Sequence, residues 1–342
     1  MQKRLVDPNK LCMGCMAELD RAVGICPHCG FEVAKYQKPK NSLPLYEILN
    51  GKYLIGRVIG IGGFGITYIG WDFYQSKKVC IKEYFPRAIA ARNPNAHTYT
   101  GQLSVSIQYS MSMHTNSPTK AQHVYVEGLK NYIKEAENLS RFYLMPGIVS
   151  VRDFFYGNNT AYIVMEYIDG IDMRKFAKLK GGRLTPQETF TILKDVLKAL
   201  DAVHKGGIIH RDISPDNIML SRDGKAKLID FGAAKNFENS ENAPVLLKQG
   251  YAPIEQYTKN GQQGPWTDVY SMCASIYYLL SGIRIPTAKE REQKDTVQLL
   301  QVLGVPISEE QDRAIRKGMS IRAEDRYQTI GELYKELYGE TI

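Results

Sequence analysis

The sequence contains no apolar run of the roughly 18–20 residues that a membrane span requires. Its first residues, Met1 to Asp7, include basic side chains but no apolar segment of the kind found in secretory signals. The net charge is +8, yet lysine and arginine are scattered among acidic residues and form no long basic run, which does not favour nucleic acid as a partner. No internal repeat is visible. We therefore expect a cytoplasmic chain without a membrane segment.

The chain is long enough to bury a sizeable core. Its 342 residues are 44% hydrophobic and 23% charged, which is the balance of a soluble globular protein. This length fits one large domain or two ordinary ones.

Cysteine is concentrated at the start of the chain. Four of the six cysteines form two Cys-x-x-Cys pairs: Cys12, Cys15, Cys26 and Cys29. Each pair can present two thiolates from one tight turn, and two such turns complete a tetrahedral Zn²⁺ site. A disulfide conflicts with a cytoplasmic chain, and a redox pair does not explain two copies. His28 is an alternative ligand that four cysteines make unnecessary. We predict a structural zinc ribbon over residues 1–32, with an unidentified protein partner.

Two segments lack a clear periodicity. Residues 33–52 carry prolines and lysines and are interpreted as a linker. Residues 86–126 are rich in serine, threonine, asparagine and glutamine, and they are interpreted as an insertion with an extra hairpin between Thr98 and Tyr109.

From Tyr53 the pattern becomes that of two strands joined by a glycine-rich turn. Leu54 to Ile59 is typical of a strand, and a Gly-x-Gly-x-x-Gly motif follows, formed by Gly60, Gly62 and Gly65. The same motif marks dinucleotide-binding folds, where it opens a helix. Here β-branched and aromatic residues follow, which favours a returning strand and a hairpin that covers phosphates with its backbone N–H groups.

Lys82 ends a short apolar strand and must be paired, because burying a lone ammonium is costly. A helical periodicity begins later, and its apolar positions are Leu129, Ile133, Ala136, Leu139 and Phe142. Glu135 lies on this helix and is the candidate partner of Lys82. Pro146 and Gly147 are predicted to end the helix.

The second half of the chain is helical. Thr185 and Glu188 form a capping box with proline at the first helical position, and Ser308 begins another helix. Between these helices lies a polar loop, residues 210–217, with the sequence His-Arg-Asp-Ile-Ser-Pro-Asp-Asn. Polar loops usually have no role beyond their contact with solvent. Other parts of the sequence are therefore needed to show whether this loop is functional.

The order of the motifs decides it. Five motifs occur in the same order as in the protein kinase superfamily: the glycine turn, the strand lysine, the helix glutamate, the His-Arg-Asp loop and Asp230-Phe231-Gly232. Residues 53–342 resemble this superfamily, and within it the eukaryotic-like serine/threonine kinases of bacteria. The resemblance implies an α+β, bilobal kinase fold, with a β-rich N-lobe over residues 53–168 and a helical C-lobe over residues 169–342.

The resemblance also implies roles for single residues. Asp212 would accept the substrate hydroxyl proton, and Asn217 and Asp230 would hold Mg²⁺, with Mn²⁺ as the alternative ion. Lys82 would bind the α- and β-phosphates and be oriented by Glu135. The residues expected to bind ATP are Gly60, Gly62, Gly65, Thr67, Lys82, Glu166, Ile168 and Asp172. The substrate would be serine or threonine hydroxyls of proteins, including the kinase itself.

Further positions match the family pattern. Asp268 corresponds to the aspartate that braces the loop of Asp212, and Glu255 and Arg326 correspond to a structural ion pair. The segment between Phe231 and Glu255 has one serine or threonine, Ser240. Either Ser240 is phosphorylated, or the neighbouring acidic residues make that modification unnecessary.

One departure from the family pattern is serious. Ser214 stands where serine/threonine kinases carry a lysine that contacts the γ-phosphate, and Lys248 stands where they carry a threonine. We hypothesise that the two positions have exchanged roles, so that Lys248 supplies the charge beside Asp212. The alternative is that Lys248 is an exposed loop lysine.

Three other functions compete with a serine/threonine kinase. A pseudokinase scaffold is disfavoured because Lys82, Asp212, Asn217 and Asp230 are all present. A small-molecule kinase is disfavoured by Glu255, Arg326 and Asp268, which match features of protein kinases. Tyrosine or dual specificity stays open, because the lysine that marks serine/threonine kinases is missing from the loop.

Overall fold

The structure is a computed structural model that describes residues 7–19, 24–97, 103–107, 118–231, 235–236, 247–258 and 261–342. Ser240 and Gly232 lie outside these ranges. The chain forms two compact units. The first comprises Met1–Tyr143 and Ser150–Tyr167, and the second comprises Leu144–Val149 and Ile168–Ile342. Among the described helices, none combines the length and the apolar character needed to span a membrane.

The first unit is built on an antiparallel sheet. Its described elements are β1 (Ile48–Leu49), β2 (Tyr53–Ile61), β3 (Gly65–Asp72), β4 (Lys77–Tyr84), β5 (Ala90–His97), β6 (Leu103–Ile107), α1 (Pro118–Ser140), β7 (Val151–Gly157) and β8 (Thr160–Glu166). Six strands form one sheet in the order β1-β2-β3-β4-β8-β7, and β5 pairs with β6 as a separate hairpin. Along β4, Val79, Ile81 and Glu83 are fully buried. Because strand side chains alternate, Lys82 points to the opposite face of the sheet.

Helix α1 begins at Pro118, well before the predicted start of the periodicity at Leu129. Its buried positions are Ala121, Tyr125, Tyr132, Ala136 and Leu139. These residues follow a regular helical spacing, but most are alanine or tyrosine. The rings of Tyr125 and Tyr132 each lie 5.4 Å from that of Tyr84. A search for leucine and isoleucine therefore located only the second half of the helix.

The first cysteine pair lies in a segment that packs directly on the sheet. Leu11, Met13 and Met16 are buried in one cluster with Leu54, Ile69, Trp71 and Phe73 of β2, β3 and the residue that follows β3. Arg57 of β2 donates its backbone N–H to the Met13 carbonyl at 2.8 Å and its Nε–H to the Gly14 carbonyl at 2.9 Å. A Cβ at Gly56 would lie 2.6 Å from the Met13 carbonyl oxygen, so this approach requires glycine.

The second unit is mainly helical. Its described elements are β9 (Gly170–Asp172), α2 (Met173–Leu179), α3 (Pro186–Lys205), β10 (Ile208–Ile209), β11 (Ile218–Ser221), β12 (Ala226–Leu228), β13 (Lys235–Asn236), α4 (Pro265–Ser281), α5 (Ala288–Gln293), α6 (Glu309–Gly318) and α7 (Ile330–Tyr338). The capping box predicted at Thr185 is confirmed, since Thr185 and Glu188 each bind the other's backbone N–H. Helix α4 is buried from Thr267 to Leu280, as its apolar sequence requires.

Candidate active site

Asp268 in the first turn of α4 holds the loop of residues 210–217. Its Oδ2 accepts the backbone N–H of His210 at 2.7 Å, and its Oδ1 accepts that of Arg211 at 2.8 Å. His204 Nε2 lies 2.8 Å from Oδ2. Burial alone would raise the pKa of Asp268, but the contacts with His204 and His210 lower it below its usual range. The predicted bracing of this loop by Asp268 is confirmed.

His210 connects the loop to Ile229, the residue that precedes Asp230. Burial lowers the pKa of the His210 imidazole, which favours the neutral ring. A neutral ring has one donor and one acceptor nitrogen, and both are used. Nδ1 accepts the backbone N–H of Asp212 at 3.2 Å, and Nε2 donates to the Ile229 carbonyl at 3.0 Å. The ring centroids of His210 and Phe231 are 4.3 Å apart.

Asn217 fixes the carboxylate of Asp212. Its Nδ2 donates to the Asp212 carbonyl at 2.7 Å and to Asp212 Oδ2 at 2.8 Å. Burial raises the pKa of Asp212 above its ordinary value, and the nearby charge of Lys248 partly offsets this. A carboxylate with a raised pKa is a better proton acceptor, and here it has one defined orientation.

Asn217 and Asp230 lie at the open end of one hairpin. Ile218 of β11 is opposite Leu228 of β12, and the Ile229 N–H donates to the Asn217 carbonyl at 2.8 Å. Asp230 follows directly, with a φ of 61°. Because the Asn217 amide nitrogen donates its hydrogen bonds to Asp212, the amide oxygen is the atom that would bind a metal ion. Carboxylate and amide oxygens are the ligands that Mg²⁺ prefers, so this pair fits the ion.

Lys248, from a later part of the chain, contacts the same loop. Its Nζ donates to Ser214 Oγ at 2.7 Å and lies 3.3 Å from Asp216 Oδ2. Its carbonyl accepts the backbone N–H groups of Tyr251 and Ala252, both at 3.0 Å. Ser214 and Lys248, the two positions for which we hypothesise an exchange of roles, are therefore in direct contact.

The first unit contains the predicted glycine turn. The strand-turn-strand interpretation is confirmed, since β2 and β3 pair with Gly60 opposite Thr67. The Gly62 N–H donates to the Gly65 carbonyl at 2.9 Å across the turn. A Cβ at Gly65 would lie 2.7 Å from the Glu83 carbonyl oxygen, so the turn requires glycine where it passes β4. Thr67 is also opposite Lys82, on the neighbouring strand.

Helix α1 packs on β4 at Lys82. The Tyr132 hydroxyl donates to the Lys82 carbonyl at 2.9 Å. Glu135 follows Tyr132 by three positions, which places it on the same helix face. The predicted pairing of Glu135 with Lys82 is consistent with this face and stays a prediction.

Three residues that are predicted to bind the nucleotide are close in sequence to Tyr167, where the chain leaves the first unit. The Glu166 carboxylate accepts the Ser150 N–H at 2.7 Å. Asp172 caps α2, where its Oδ1 accepts the Lys175 N–H at 2.8 Å. Ile168 follows β8 and is half-buried. The contacts of Glu166 and Asp172 are structural, and the ATP contacts of all three residues stay predictions.

The four N-terminal cysteines converge. Their sulfur atoms all lie within 4.8 Å of one another, and no disulfide joins them. The Cys12–Cys29 and Cys15–Cys26 sulfur distances are 3.7 and 3.9 Å. A tetrahedral site with Zn–S bonds of about 2.3 Å has sulfur atoms about 3.8 Å apart. The Gly14 N–H donates to Cys12 Sγ at 3.3 Å, a bond that stabilises a thiolate ligand. The cluster fits a Zn²⁺ ion.

Comparisons with known proteins identify the family of this chain. Residues 53–328 match the family model described as the protein kinase domain. The chain belongs to the protein kinase family. The chain is 32% identical over 241 residues, 69% of its length, to serine/threonine-protein kinase F of Synechocystis sp.. It is 27% identical over 84% of its length to the serine/threonine-protein kinase PknB of Mycobacterium tuberculosis.

One solved structure is similar to most of this chain. The chain titled "PpkA-294 apo form" superposes with a TM-score of 0.72 at 32% identity, covering 87% of this kinase and 99% of that chain. The curated relatives are longer proteins. The kinase spans only 45% of the Synechocystis protein and 43% of the mycobacterial one.

The family ion pair between Glu255 and Arg326 is confirmed. The Arg326 guanidinium donates to both carboxylate oxygens, at 2.7 and 3.1 Å. The Thr267 hydroxyl donates to the same carboxylate at 3.0 Å. The Arg326 side chain is fully buried. The pair therefore helps to hold in place the segment that contains both Lys248 and Glu255.

Two buried or half-buried ion pairs were not predicted. Glu83 pairs with Arg92 inside the first unit and also accepts the Tyr68 hydroxyl at 2.8 Å. Arg174 binds Asp216 in the second unit with both ends of its guanidinium, at 2.6 and 2.9 Å. The alternation of β4 would have revealed Glu83, since it occupies an inward position between apolar residues. No local pattern marks Arg174.

Proposed function

We propose that this kinase transfers the γ-phosphoryl group of Mg-ATP to serine and threonine hydroxyls of proteins, including its own. One observation carries the proposal above the others. Asn217 orients the Asp212 carboxylate through two hydrogen bonds, while the hairpin of Asn217 brings Asp230 beside it. A base and two oxygen ligands in this order are what phosphoryl transfer needs from a protein, because the reaction depends on positioning and charge neutralisation.

Asp212 is the proposed base. It would accept a hydrogen bond from the substrate hydroxyl and take its proton as the oxygen attacks the γ-phosphorus and the bond from that phosphorus to the leaving ADP breaks. Asn217 and Asp230 would hold Mg²⁺, which neutralises charge on the phosphate oxygens. His210 supports Asp212 by accepting its N–H, and Asp268 keeps the loop in place.

The first unit would supply the nucleotide contacts. The backbone of Gly60, Gly62 and Gly65 would cover the phosphates, and Lys82, oriented by Glu135, would bind the α- and β-phosphates. The remaining proposed ATP contacts are Thr67, Glu166, Ile168 and Asp172. Two observations support these nucleotide contacts. One is the family pattern, and the other is the strand register, which places Thr67 opposite Gly60 on one neighbouring strand and opposite Lys82 on the other.

Lys248 is the proposed substitute for the missing loop lysine. Its ammonium contacts Ser214, two residues after Asp212, and its charge lowers the pKa of Asp212 against the effect of burial. Lys248→Ala should lower kcat far more than it raises the KM for ATP, because the lost charge acts on the transferred group. Lys335→Ala, in an exposed position of α7, is the matched control. An unchanged kcat in Lys248→Ala would make Lys248 an ordinary loop lysine.

The four cysteines are proposed to hold a structural Zn²⁺ ion. A closed set of four thiolates leaves no open position for chemistry. Cysteines that are not joined by disulfides fit the reducing cytoplasm, and so does an ATP-dependent reaction. We propose that the kinase acts there. Metal analysis of the purified protein should find one zinc per chain.

The central experiment is incubation with Mg-ATP and a mixture of protein substrates, followed by mass spectrometry of phosphosites. Phosphoserine and phosphothreonine are expected in the wild type and not in Asp212→Asn. Phosphotyrosine would indicate dual specificity instead. ATP binding without any transfer would indicate a pseudokinase scaffold.

A further inference from the structure

Arg174, in the first turn of α2, makes a bidentate ion pair with Asp216 of the 210–217 loop. Its Nε and Nη2 donate to the two carboxylate oxygens at 2.6 and 2.9 Å. The Arg174 and Asp216 side chains are 24% and 36% exposed, so the pair is only partly screened by water. Paired donors of this kind fix both the distance and the plane of the carboxylate. Asp216 is therefore held in one orientation.

The same guanidinium contacts the segment that contains Lys248. Arg174 Nη2 donates to the Tyr251 hydroxyl at 3.0 Å, and the guanidinium carbon lies 4.7 Å from the centroid of the Tyr278 ring. Tyr251 is buried, and its backbone N–H donates to the Lys248 carbonyl at 3.0 Å. Arg174 thus touches both the carboxylate near the Lys248 ammonium and the residue that fixes the Lys248 backbone.

Lys248 needs such support, because a lysine side chain is long and flexible and behaves as a mobile point charge. Its Nζ has two described partners, Ser214 Oγ at 2.7 Å and Asp216 Oδ2 at 3.3 Å. Ser214 is neutral, so Asp216 supplies the only described carboxylate within ion-pair distance of this ammonium. Without the charge of Asp216, the cations of Lys248 and Arg174 would repel each other, and Lys248 would turn towards solvent.

We propose that Arg174 and Asp216 are positioning residues that hold the ammonium of Lys248 beside Asp212. This inference rests on the proposed role of Lys248 and extends it. Arg174 orients Asp216, Asp216 orients Lys248, and Ser214 completes the set. In the proposed exchange, the lysine of position 248 comes from a different part of the chain than the lysine it replaces. Asp216 is the carboxylate that keeps this lysine beside the loop.

The first test is a double-mutant cycle in the full chain. Asp216→Asn keeps the shape of the side chain and removes its charge, and it should lower kcat by about 10–100-fold, the cost typical of a misplaced group. The KM for ATP should change little. In a Lys248→Ala background, the same Asp216→Asn substitution should cost almost nothing more, because the two residues act as one unit.

The second readout is rescue by a conservative variant. Arg174→Ala removes both hydrogen bonds to Asp216, so it should lower kcat as Asp216→Asn does, with little change in the KM for ATP. Arg174→Lys should restore part of the rate, since one hydrogen bond to Asp216 remains.

The control is Arg313→Ala, which removes an exposed ion pair with Glu309 on α6 and should leave kcat and the KM for ATP unchanged. Wild-type kcat in Asp216→Asn, or full additivity with Lys248→Ala, would overturn the inference. If Asp216→Asn does not fold, the same cycle with Arg174→Lys gives the answer. An inactive wild type would refute the proposed function itself, whereas an active wild type with an insensitive Lys248 would refute only the lysine's role and this extension of it.

Discussion

Loss of the zinc ion that we propose for the four-cysteine cluster should destabilise the whole first unit. The perturbation is Cys29→Ser. Cys29 is exposed, so its replacement creates no cavity, and any loss of stability reports the ion. Thiolate sites of this kind fold only with their metal, because the module has no core of its own.

The magnitude follows from the packing on the sheet. Leu11, Met13 and Met16 are 2%, 0% and 0% exposed, and they lie against β2 and β3. Burial of such side chains is worth about 1.5–3 kcal/mol each. Their loss would lower the free energy of unfolding by roughly 5–9 kcal/mol, an upper value because unfolded chains stay partly compact. For a unit of this size that corresponds to a fall of about 10–30 °C in the unfolding midpoint.

Thermal unfolding and zinc release, followed in the same sample, are the assays. His28→Ala is the matched control, since His28 is exposed and adjacent to Cys29 but unnecessary for a four-cysteine site. It should keep both zinc and midpoint. Hydrogen exchange at β2 gives a local readout, because the Arg57 N–H is bonded to the Met13 carbonyl. If Cys29→Ser lost its zinc but kept the wild-type midpoint and β2 protection, the ribbon would not support the sheet.

Three further predictions concern the second unit. Glu255→Gln leaves the buried Arg326 without a charge partner, so chemical denaturation should show a loss of about 3–5 kcal/mol, and a smaller loss would mean that water replaces the carboxylate. Thr185→Ala removes the α3 cap and should cost about 1 kcal/mol, whereas Thr185→Ser should cost much less. Because burial raises the pKa of Asp212, the deprotonated base is lost as pH falls through a value above the ordinary aspartate range, and the acid limb of kcat/KM should lie there. An acid limb at the ordinary aspartate value would contradict this.

The linear motifs of the site were readable from the sequence. Asp212 and Asn217 lie on one loop that leads into β11, and Asp230 comes after the paired strand β12, so hairpin pairing alone brings them together. The four cysteines were equally clear, because tetrahedral thiolate sites use short, fixed spacings. In both cases the chemistry depends on residues that are close in the chain.

The start of α1 and the two unexpected ion pairs could not be read in this way. The buried face of α1 uses Tyr125 and Tyr132, which a search for aliphatic periodicity does not count. The contact of Arg174 with Asp216 spans 42 residues and joins two elements through tertiary packing. Such pairs leave no local periodicity, so only a three-dimensional structure reveals them.

The most direct test of the account is phosphoryl transfer by the zinc-loaded wild type compared with Asp212→Asn. Both proteins are incubated with Mg-ATP labelled at the γ-phosphate, and phosphosites are identified by mass spectrometry while ATP binding is measured separately. The account predicts label on serine and threonine in the wild type and none in Asp212→Asn, with ATP bound by both. Equal labelling by the two proteins, or no labelling by an ATP-bound wild type, would contradict it.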